Sequence, residues 1–284
     1  MSTEIRQKIG PPVPMWRAHV FQALYWTTSI LTVIIALPLL MIPGRKWLMI
    51  WLQRYARVMK CWMRVIVGVD IEYRGRENLP DGPCIIAPKH QSWGDGYSMF
   101  AKVNDLAIVT GDHLEKIPLV GLVLKKMQAV VVDSCGGATA QQKLVTEDLS
   151  RARAANRKIL IYPEGRLGEP GYHFEYKKGI FHMYEAYQEP VIPVATNLGL
   201  YWPHMTFDQF TAGTGIVEFL EPIQPGLEKD EFMALLEERI ETASLALLPD
   251  DFEIPEHRLL VFDKDFDRGV PAPRDDDPIS KAAE

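Results

Sequence analysis

The feature that most constrains the fold is an uncharged stretch of 22 residues near the amino terminus, residues 21–42. A bilayer crossing needs about 20 apolar residues, so this stretch is long enough to span a membrane. Its polar residues and Pro38 make the pattern weaker than its length alone indicates. It starts late and has no small-residue cleavage site, which argues against a cleaved signal peptide. The sequence therefore predicts a membrane-associated helix ahead of the main folded body.

A second segment, residues 45–67, is amphipathic. At about 100° per residue its cations Lys46, Arg57, Lys60 and Arg64 fall within a narrow arc, with tryptophans and leucines around it. This pattern is typical of a helix in the lipid headgroup region. The first segment then either crosses the membrane once or forms a hairpin that dips into the cytoplasmic leaflet. Both place the following domain on the cytoplasmic side. The alternative is two helices that pack only against the domain.

The net charge of −6 is unevenly distributed. Basic residues dominate up to Asp70, and acidic residues dominate after Leu220. A basic and apolar arm indicates a phospholipid surface as partner and argues against nucleic acid. The cysteines Cys61, Cys84 and Cys135 are widely spaced, so the sequence predicts neither a disulfide framework nor a metal site, in keeping with a reducing compartment.

From residue 69 to about 247, short apolar runs alternate with helical patterns, which is typical of an α/β layered domain. We expect a mixed, mostly parallel sheet flanked by helices. The predicted regions are a membrane-anchoring two-helix arm (1–68), an α/β domain (69–248) and an acidic, partly disordered tail (249–284). The predicted strands are 69–73, 84–87, 106–110, 129–133, 158–162, 191–196 and 216–219, and the predicted helices are 93–103, 119–126, 139–156, 180–187 and 229–247. Residues 259–262 are expected to dock on the domain as an apolar clasp, and a mobile tail is expected from about Asp263.

His90 and Asp95 carry the strongest chemical signal. His90 follows the apolar run 84–87, so it lies at the carboxyl end of a predicted strand, where open α/β sheets bind ligands. Residues five apart diverge on a regular helix, so the pair needs a tight turn, for which Ser92 and Gly94 are suitable. Asp95 can then hold one imidazole nitrogen and leave the other free to take a proton from an alcohol. No serine nucleophile motif accompanies the pair, which predicts that the substrate's own hydroxyl is the nucleophile.

A second polar element, YPEGR at residues 162–166, follows another predicted strand. Arg166 has the planar guanidinium that suits a forked contact with phosphate. Glu164 is placed to accept hydrogen bonds from a polyol or to orient a neighbouring cation. Taken alone, the element would be interpreted as a surface turn with a local ion pair. The histidines without a paired motif, interpreted as structural or surface residues, are His113, His173, His182 and His204.

Together these elements resemble the glycerophospholipid acyltransferases. That family carries an H-x-x-x-x-D motif, matched by His90 and Asp95, and an F-P-E-G-T-R motif, matched at residues 162–165. The family's Y-K-x-G element corresponds to residues 176–179, and its late V-P-V-A strand corresponds to residues 192–195. The ordered match covers most of the predicted folded body, and the amino-terminal pair of helices resembles the family's anchor.

The resemblance implies transfer of a fatty acyl group from acyl-CoA or acyl carrier protein to the free hydroxyl of lysophosphatidic acid, giving phosphatidic acid in phospholipid biosynthesis. His90 would be the general base and Asp95 would fix its tautomer, in a single displacement. No metal and no cofactor besides the acyl donor is implied. The residues implied in substrate binding are Glu164, Gly165, Arg166 and Lys177.

Three cations of the family pattern are missing or moved. The guanidinium after P-E-G is displaced by one residue to Arg166, Ser134 stands where the middle motif ends in arginine, and Gly111 stands where lysine is usual. These departures keep two alternatives open, namely the same chemistry on another lysolipid such as a lyso-aminolipid, and a membrane lipid-binding protein that has lost catalysis. The candidate replacement cations are Lys89, Lys116, Lys177 and Lys178.

Overall fold

The computed structural model describes residues 10–132, 144–204, 208–263 and 268–271. The α-helices are α1 (Met15–Met41), α2 (Lys46–Trp62), α3 (Gly94–Lys102), α4 (Asp112–Glu115), α5 (Val120–Met127), α6 (Ser150–Ala154), α7 (Gly179–Tyr187) and α8 (Lys229–Ala246). The strands are β1 (Val69–Arg74), β2 (Cys84–Pro88), β3 (Ala107–Gly111), β4 (Val130–Val132), β5 (Lys158–Leu160), β6 (His173–Phe174), β7 (Val191–Thr196), β8 (Gly213–Phe219), β9 (Leu259–Asp263) and β10 (Arg268–Pro271). Short connecting turns are the π-helices Met63–Val67 and Leu144–Leu149 and the 3₁₀-helices Arg76–Asn78 and Leu198–Leu200.

Seven strands form the central sheet, in the order β1-β8-β7-β2-β5-β3-β4. Every neighbouring pair is parallel except β7 with β8, which is antiparallel. The predicted mixed, mostly parallel sheet flanked by helices is confirmed. Because β2 and β5 are parallel neighbours, the residues that follow them emerge at the same edge of the sheet. This pairing brings together the two polar elements, HQSWGD at residues 90–95 and YPEGR at residues 162–166.

Both faces of the sheet are covered, which explains why β2 is apolar throughout and buried at every position. Cys84 and Ile86 belong to a core cluster that includes Phe21 of α1 and Trp202. The alternate residues of β2 belong to a second cluster, which packs under α7 and α8. The strand that carries His90 at its end is therefore fixed from both sides.

The helices α1 and α2 form an antiparallel hairpin. Ser29 Oγ lies 2.6 Å from the Tyr55 hydroxyl, and Trp51 Nε1 donates to the Thr32 carbonyl at 3.1 Å, so contacts later in α1 meet residues earlier in α2. The hairpin is not separate from the rest of the fold, because Phe21 packs edge-on against Trp202 with ring centroids 5.3 Å apart. Its membrane association stays a prediction, as do the boundaries 1–68, 69–248 and 249–284.

A second, three-stranded sheet, β10-β9-β6, was not predicted. Strand β9 pairs in parallel with β6, so the expected clasp at residues 259–262 does dock on the domain. The mobile tail expected from about Asp263 is wrong for residues 268–271, which return as β10 and pair antiparallel with β9. This return strand satisfies one edge of β9.

Some sequence predictions lie outside the described residues. These are the tail beyond residue 271 and, within residues 133–143, Ser134, Cys135, the end of the predicted strand 129–133 and the start of the predicted helix 139–156. In the described part of that helix, Leu144–Leu149 is π-helical and α6 follows.

Candidate active site

His90 and Asp95 are joined by a hydrogen bond of 3.0 Å between His90 Nδ1 and Asp95 Oδ2. The same carboxylate oxygen accepts the backbone N–H groups of Gln91 at 2.7 Å and Ser92 at 2.9 Å. Asp95 lies in the first turn of α3, where the helix dipole favours a negative charge. The Ser92 hydroxyl accepts the Gly94 N–H at 3.0 Å and closes the turn. The predicted tight turn into a helix therefore exists and pairs the two side chains.

The His90 side chain is partly accessible to solvent. The side chain is 21% exposed, whereas that of Asp95 is 3% exposed. Within the described part of the chain, Nε2 of His90 makes no hydrogen bond, so it is available to a substrate proton. With Nδ1–H donated to Asp95, Nε2 carries the lone pair that a general base needs.

The Tyr162 ring stacks on the imidazole, with centroids 3.8 Å apart and planes 17° from parallel. Its hydroxyl is buried and has no hydrogen-bond partner among the described residues. Burial, followed by the negative charge of Asp95, raises the pKa of Tyr162 well above its ordinary value. The phenol therefore stays protonated at neutral pH, and the general base of this pair of rings is His90.

The loop after β5 folds back onto the histidine. Gly165 has φ of +65° and donates its N–H to the Tyr162 carbonyl at 3.0 Å, which makes a turn that favours glycine. The Gly168 N–H then donates to the His90 carbonyl at 2.8 Å. Lys177 donates its N–H to the Pro163 carbonyl at 2.8 Å. These bonds place the second polar element beside the first.

Glu164 is fully buried. Its Oε2 accepts the Phe174 N–H at 2.8 Å, and its Oε1 lies 3.2 Å from Lys89 Nζ. Burial raises the pKa of Glu164, and the charge of Lys89 opposes this change. The contact is therefore with a neighbouring cation, one of the two arrangements considered for this carboxylate, and its substrate-binding role stays a prediction.

Arg166 and Lys177 are both exposed beside the Gly165 turn. A Cβ added at Gly165 would lie 3.7 Å from Lys177 Cγ, so the lysine stem runs along the turn. Of the other candidate replacement cations, Lys89 is buried between carboxylates and Lys116 is held by Asp112 at 2.6 Å. No ion pair involves Lys177 or Lys178 in the described ranges, and both side chains are exposed. Of the two, Lys177 is the one whose stem runs along the Gly165 turn beside Arg166.

Two elements of the site gave no signal in the sequence. The Trp93 indole N–H donates to the His204 carbonyl at 2.9 Å, so His204 lies at the rim of the site. Burial is the main cause of a lowered His204 pKa, and the charges of Glu169, His90 and Asp95 also act on it. A Cβ at Gly199 would approach Gln91 Cβ to 2.9 Å, so only a glycine lets the Leu198–Leu200 turn pack this closely on the motif.

The arrangement is suited to proton abstraction from a hydroxyl next to an exposed cationic loop. It provides a base oriented by a buried carboxylate and, beside it, guanidinium and ammonium groups that attract an anion. Across the residues the structure describes, no group of three histidine, cysteine or carboxylate side chains is placed to hold a metal ion.

Residues 70–197 match the family model described as Acyltransferase. The 1-acyl-sn-glycerol-3-phosphate acyltransferase of Pseudomonas aeruginosa is 30% identical over 161 residues, which are 53% of this chain and 61% of that protein. The protein of the same name from Saccharomyces cerevisiae is 26% identical over 222 residues, which are 73% of this chain and 72% of that one. The match thus spans less than two thirds of the Pseudomonas protein.

The fold has a counterpart of known structure. The crystal structure of the 1-acyl-sn-glycerophosphate (LPA) acyltransferase PlsC from Thermotoga maritima superposes with a TM-score of 0.63 at 18% identity, covering 82% of this chain and 94% of that one. At this identity the likeness concerns the fold. The motifs His90–Asp95 and YPEG lie within the stretch that matches the family model. Residues 70–197 therefore match an acyltransferase domain, and the resemblance seen in the motifs is confirmed.

Proposed function

We propose that this protein is an acyltransferase that moves a fatty acyl group from an acyl thioester to the free hydroxyl of lysophosphatidic acid, giving phosphatidic acid in phospholipid biosynthesis. The observation that carries the proposal is the His90–Asp95 pair, with Nε2 open to substrate beside the exposed Arg166 and Lys177. The names of the relatives support this acceptor. The donor is acyl-CoA or acyl carrier protein.

The chemistry is a single displacement. His90 Nε2 takes the proton of the acceptor hydroxyl while that oxygen bonds to the thioester carbonyl carbon. The carbon–sulfur bond then breaks, and the departing thiolate takes the proton from the imidazolium. Asp95 keeps Nδ1 protonated and stabilises the imidazolium, because its carboxylate is buried and already held by two backbone N–H groups. The acceptor supplies the nucleophile, so no acyl-enzyme forms.

Acceptor recognition uses the cationic side of the Gly165 turn. Arg166 forks onto the phosphate of the acceptor and Lys177 adds a point charge. Lys89 does not take part, since Glu164 and Glu241 already neutralise its buried ammonium. The displaced guanidinium and Lys177 thus together replace the missing cations of the family pattern.

The amino-terminal helices support a location of this site at a membrane. Helix α1 is long and apolar enough to cross a bilayer, and its exposed apolar side chains include Trp16, Trp26, Ile30, Ile34 and Met41. However, Phe21 near its start packs on Trp202, and Ala36 near its end belongs to a cluster with Leu124. A helix that crossed the bilayer would not keep both ends against one domain. A hairpin lying in the cytoplasmic leaflet of the inner membrane fits these contacts better than a single crossing.

The acceptor is tested by product mass. The full-length protein is incubated with lysophosphatidic acid or a lyso-aminolipid and a labelled acyl donor, once as acyl-CoA and once as acyl carrier protein. Phosphatidic acid as the main product supports the proposal. Acylation of the lyso-aminolipid alone would contradict lysophosphatidic acid as acceptor and show that the acceptor is the lyso-aminolipid. Lipid binding without transfer from either donor favours an inactive lipid-binding protein.

Phosphate recognition is tested in the same assay. Arg166→Ala and Lys177→Ala are expected to raise the KM for lysophosphatidic acid by about tenfold each while the donor KM changes little. The matched control is Lys116→Ala, because Asp112 already holds that ammonium. An unchanged acceptor KM in both variants would remove the two cations from the acceptor site.

The hairpin is tested by labelling from one side of the membrane. Met15→Cys and Gly44→Cys are made separately in a chain whose own cysteines are replaced by alanine. Met15 is the first residue of α1, and Gly44 follows the end of α1 at Met41. A membrane-impermeant maleimide should reach both from the cytoplasmic face, whereas labelling from opposite faces would show a crossing.

A further inference from the structure

Four charged side chains form a buried ion network beneath the active site: Lys89, Glu164, Glu241 and Arg258. Lys89 Nζ lies 2.7 Å from Glu241 Oε1 and 3.2 Å from Glu164 Oε1. Arg258 Nη2 lies 2.7 Å from Glu241 Oε2. The side chains of Lys89, Glu164 and Glu241 are 1%, 0% and 8% exposed. Two cations and two carboxylates balance their formal charge, as burial at this depth requires.

Glu241 is the centre of this network. Its Oε1 accepts both Lys89 Nζ and the Tyr176 hydroxyl, the latter at 3.0 Å, and its Oε2 accepts Arg258. It lies on α8, and Arg258 lies in the segment that follows α8. Both are beyond residues 70–197, the stretch that matches the family model. The support therefore comes from a part of the chain outside the matched domain.

The network contacts the chain neighbours of the active-site residues. Lys89 immediately precedes His90, and Glu164 immediately precedes Gly165. Tyr176, bonded to Glu241, immediately precedes Lys177. A shift of Glu241 would therefore move the backbone directly before three residues of the site, namely His90, Gly165 and Lys177. A network that served stability alone would have no reason to contact these three neighbours.

The carboxyl-terminal segment also holds the loop through its backbone. Arg258 Nε donates to the Gly171 carbonyl at 2.8 Å, and its own carbonyl accepts the His173 N–H at 2.9 Å. Strands β6 and β9 then pair directly after this point. The loop between β5 and α7 contains a strand of two residues, so these contacts supply order that the loop lacks by itself.

We infer that Glu241 and Arg258 are positioning residues of the active site. Through Lys89 they set the place of His90, and through Glu164 and Tyr176 they set the loop that carries Arg166 and Lys177. The inference rests on the proposed function and extends it to the carboxyl-terminal segment. Neither residue touches the reacting atoms.

The test compares Glu241→Gln and Arg258→Gln with the parent full-length chain. The rate of hydrogen–deuterium exchange at residues 163–178 measures how firmly the loop is held, and it needs no substrate. Steady-state kinetics read the KM for lysophosphatidic acid and for the acyl donor separately. The matched control is Glu238→Gln, since Glu238 is exposed on the same helix α8. Arg258→Lys tests rescue, because it keeps the charge.

In both glutamine variants we expect faster exchange at residues 163–178 and an acceptor KM raised about tenfold, with the donor KM within about twofold of the parent. Arg258→Lys should recover part of this loss, and Glu238→Gln should match the parent. Unchanged exchange at 163–178, or an acceptor KM equal to that of the parent despite a lower melting temperature, would overturn the positioning role.

Two further results keep the outcomes separate. If Glu241→Gln does not fold, Arg258→Gln decides, because the Arg258 side chain is 23% exposed and its loss is less disruptive. If the parent does not acylate lysophosphatidic acid, the proposed function fails, and the exchange comparison alone then decides whether Glu241 and Arg258 hold the loop.

Discussion

The His90–Asp95 turn and the buried ion network serve one site but are built in opposite ways. The turn is local, since Asp95 Oδ2 accepts donors from His90, Gln91 and Ser92, all within five residues of it. The network is assembled from distant parts of the chain, because Lys89 and Glu241 are 152 residues apart. The local turn holds the reacting side chains, and the distant contacts determine where that turn lies in the fold. Substitutions in the turn should therefore reduce turnover, whereas substitutions in the network should loosen the loop, raise the acceptor KM and reduce stability.

The largest expected effect is on turnover in the turn. His90→Ala should lower kcat by about 10²- to 10⁴-fold, because it removes the general base. Asp95→Asn should also lower kcat, since the amide no longer stabilises the imidazolium. The melting temperature of His90→Ala should stay close to that of the parent, because the ring is partly exposed. Full acyl transfer by His90→Ala would exclude the imidazole as base.

Substitutions in the network should lower the free energy of unfolding. Lys89→Met leaves the buried carboxylates Glu164 and Glu241 without the cation between them, which should cost about 3–5 kcal/mol. Urea unfolding measures this loss. The control is Lys116→Met, whose exposed pair with Asp112 should be worth less than about 1 kcal/mol. Equal losses in the two variants would show that the network contributes no more than a surface ion pair.

The same contrast between local and distant contacts explains which parts of the site could be predicted from the sequence. The apolar run before His90 and the small residues between it and Asp95 predict a strand end and a tight turn, and both are present. Glu241 lies on the correctly predicted helix α8, among other acidic residues. Nothing in its local pattern distinguishes it as buried, because its burial depends on where α8 packs against β7 and α7. Period and turn signals report local geometry, so long-range ion pairs are visible only in the folded chain.

The Gly165 turn offers a smaller and purely conformational test. Gly165→Ala should lower the free energy of unfolding by about 1 kcal/mol, because φ is +65° there. Steric conflict adds little, since the nearest atom, Lys177 Cγ, would be 3.7 Å away. Gly96→Ala in α3 is the opposite control, because its Cβ would meet nothing within 4 Å and alanine favours a helix by up to about 1 kcal/mol. A stabilising Gly165→Ala would contradict the left-handed turn.

The smallest expected effect is a pH dependence on the network side of the site. Burial is the main cause of a lowered pKa of His173, opposed by Glu241 and Glu237 and supported by Lys89 and Arg258. The folded chain therefore binds this proton less readily than the unfolded chain, whose histidine titrates near 6.5. As pH falls through that value, the unfolded state gains protons first and stability decreases.

The melting temperature should thus fall between about pH 7.5 and 5.5, and it should fall less in His173→Gln than in the parent. His113→Gln is the matched control, since His113 is exposed on α4 and its loss should leave the slope of the parent unchanged. His173 begins β6, the strand that β9 pairs with, so its titration acts on the clasp and not on the His90–Asp95 turn. An identical slope in His173→Gln would mean that acid weakens the protein elsewhere, and the network side of the site would then be no more sensitive to pH than the turn.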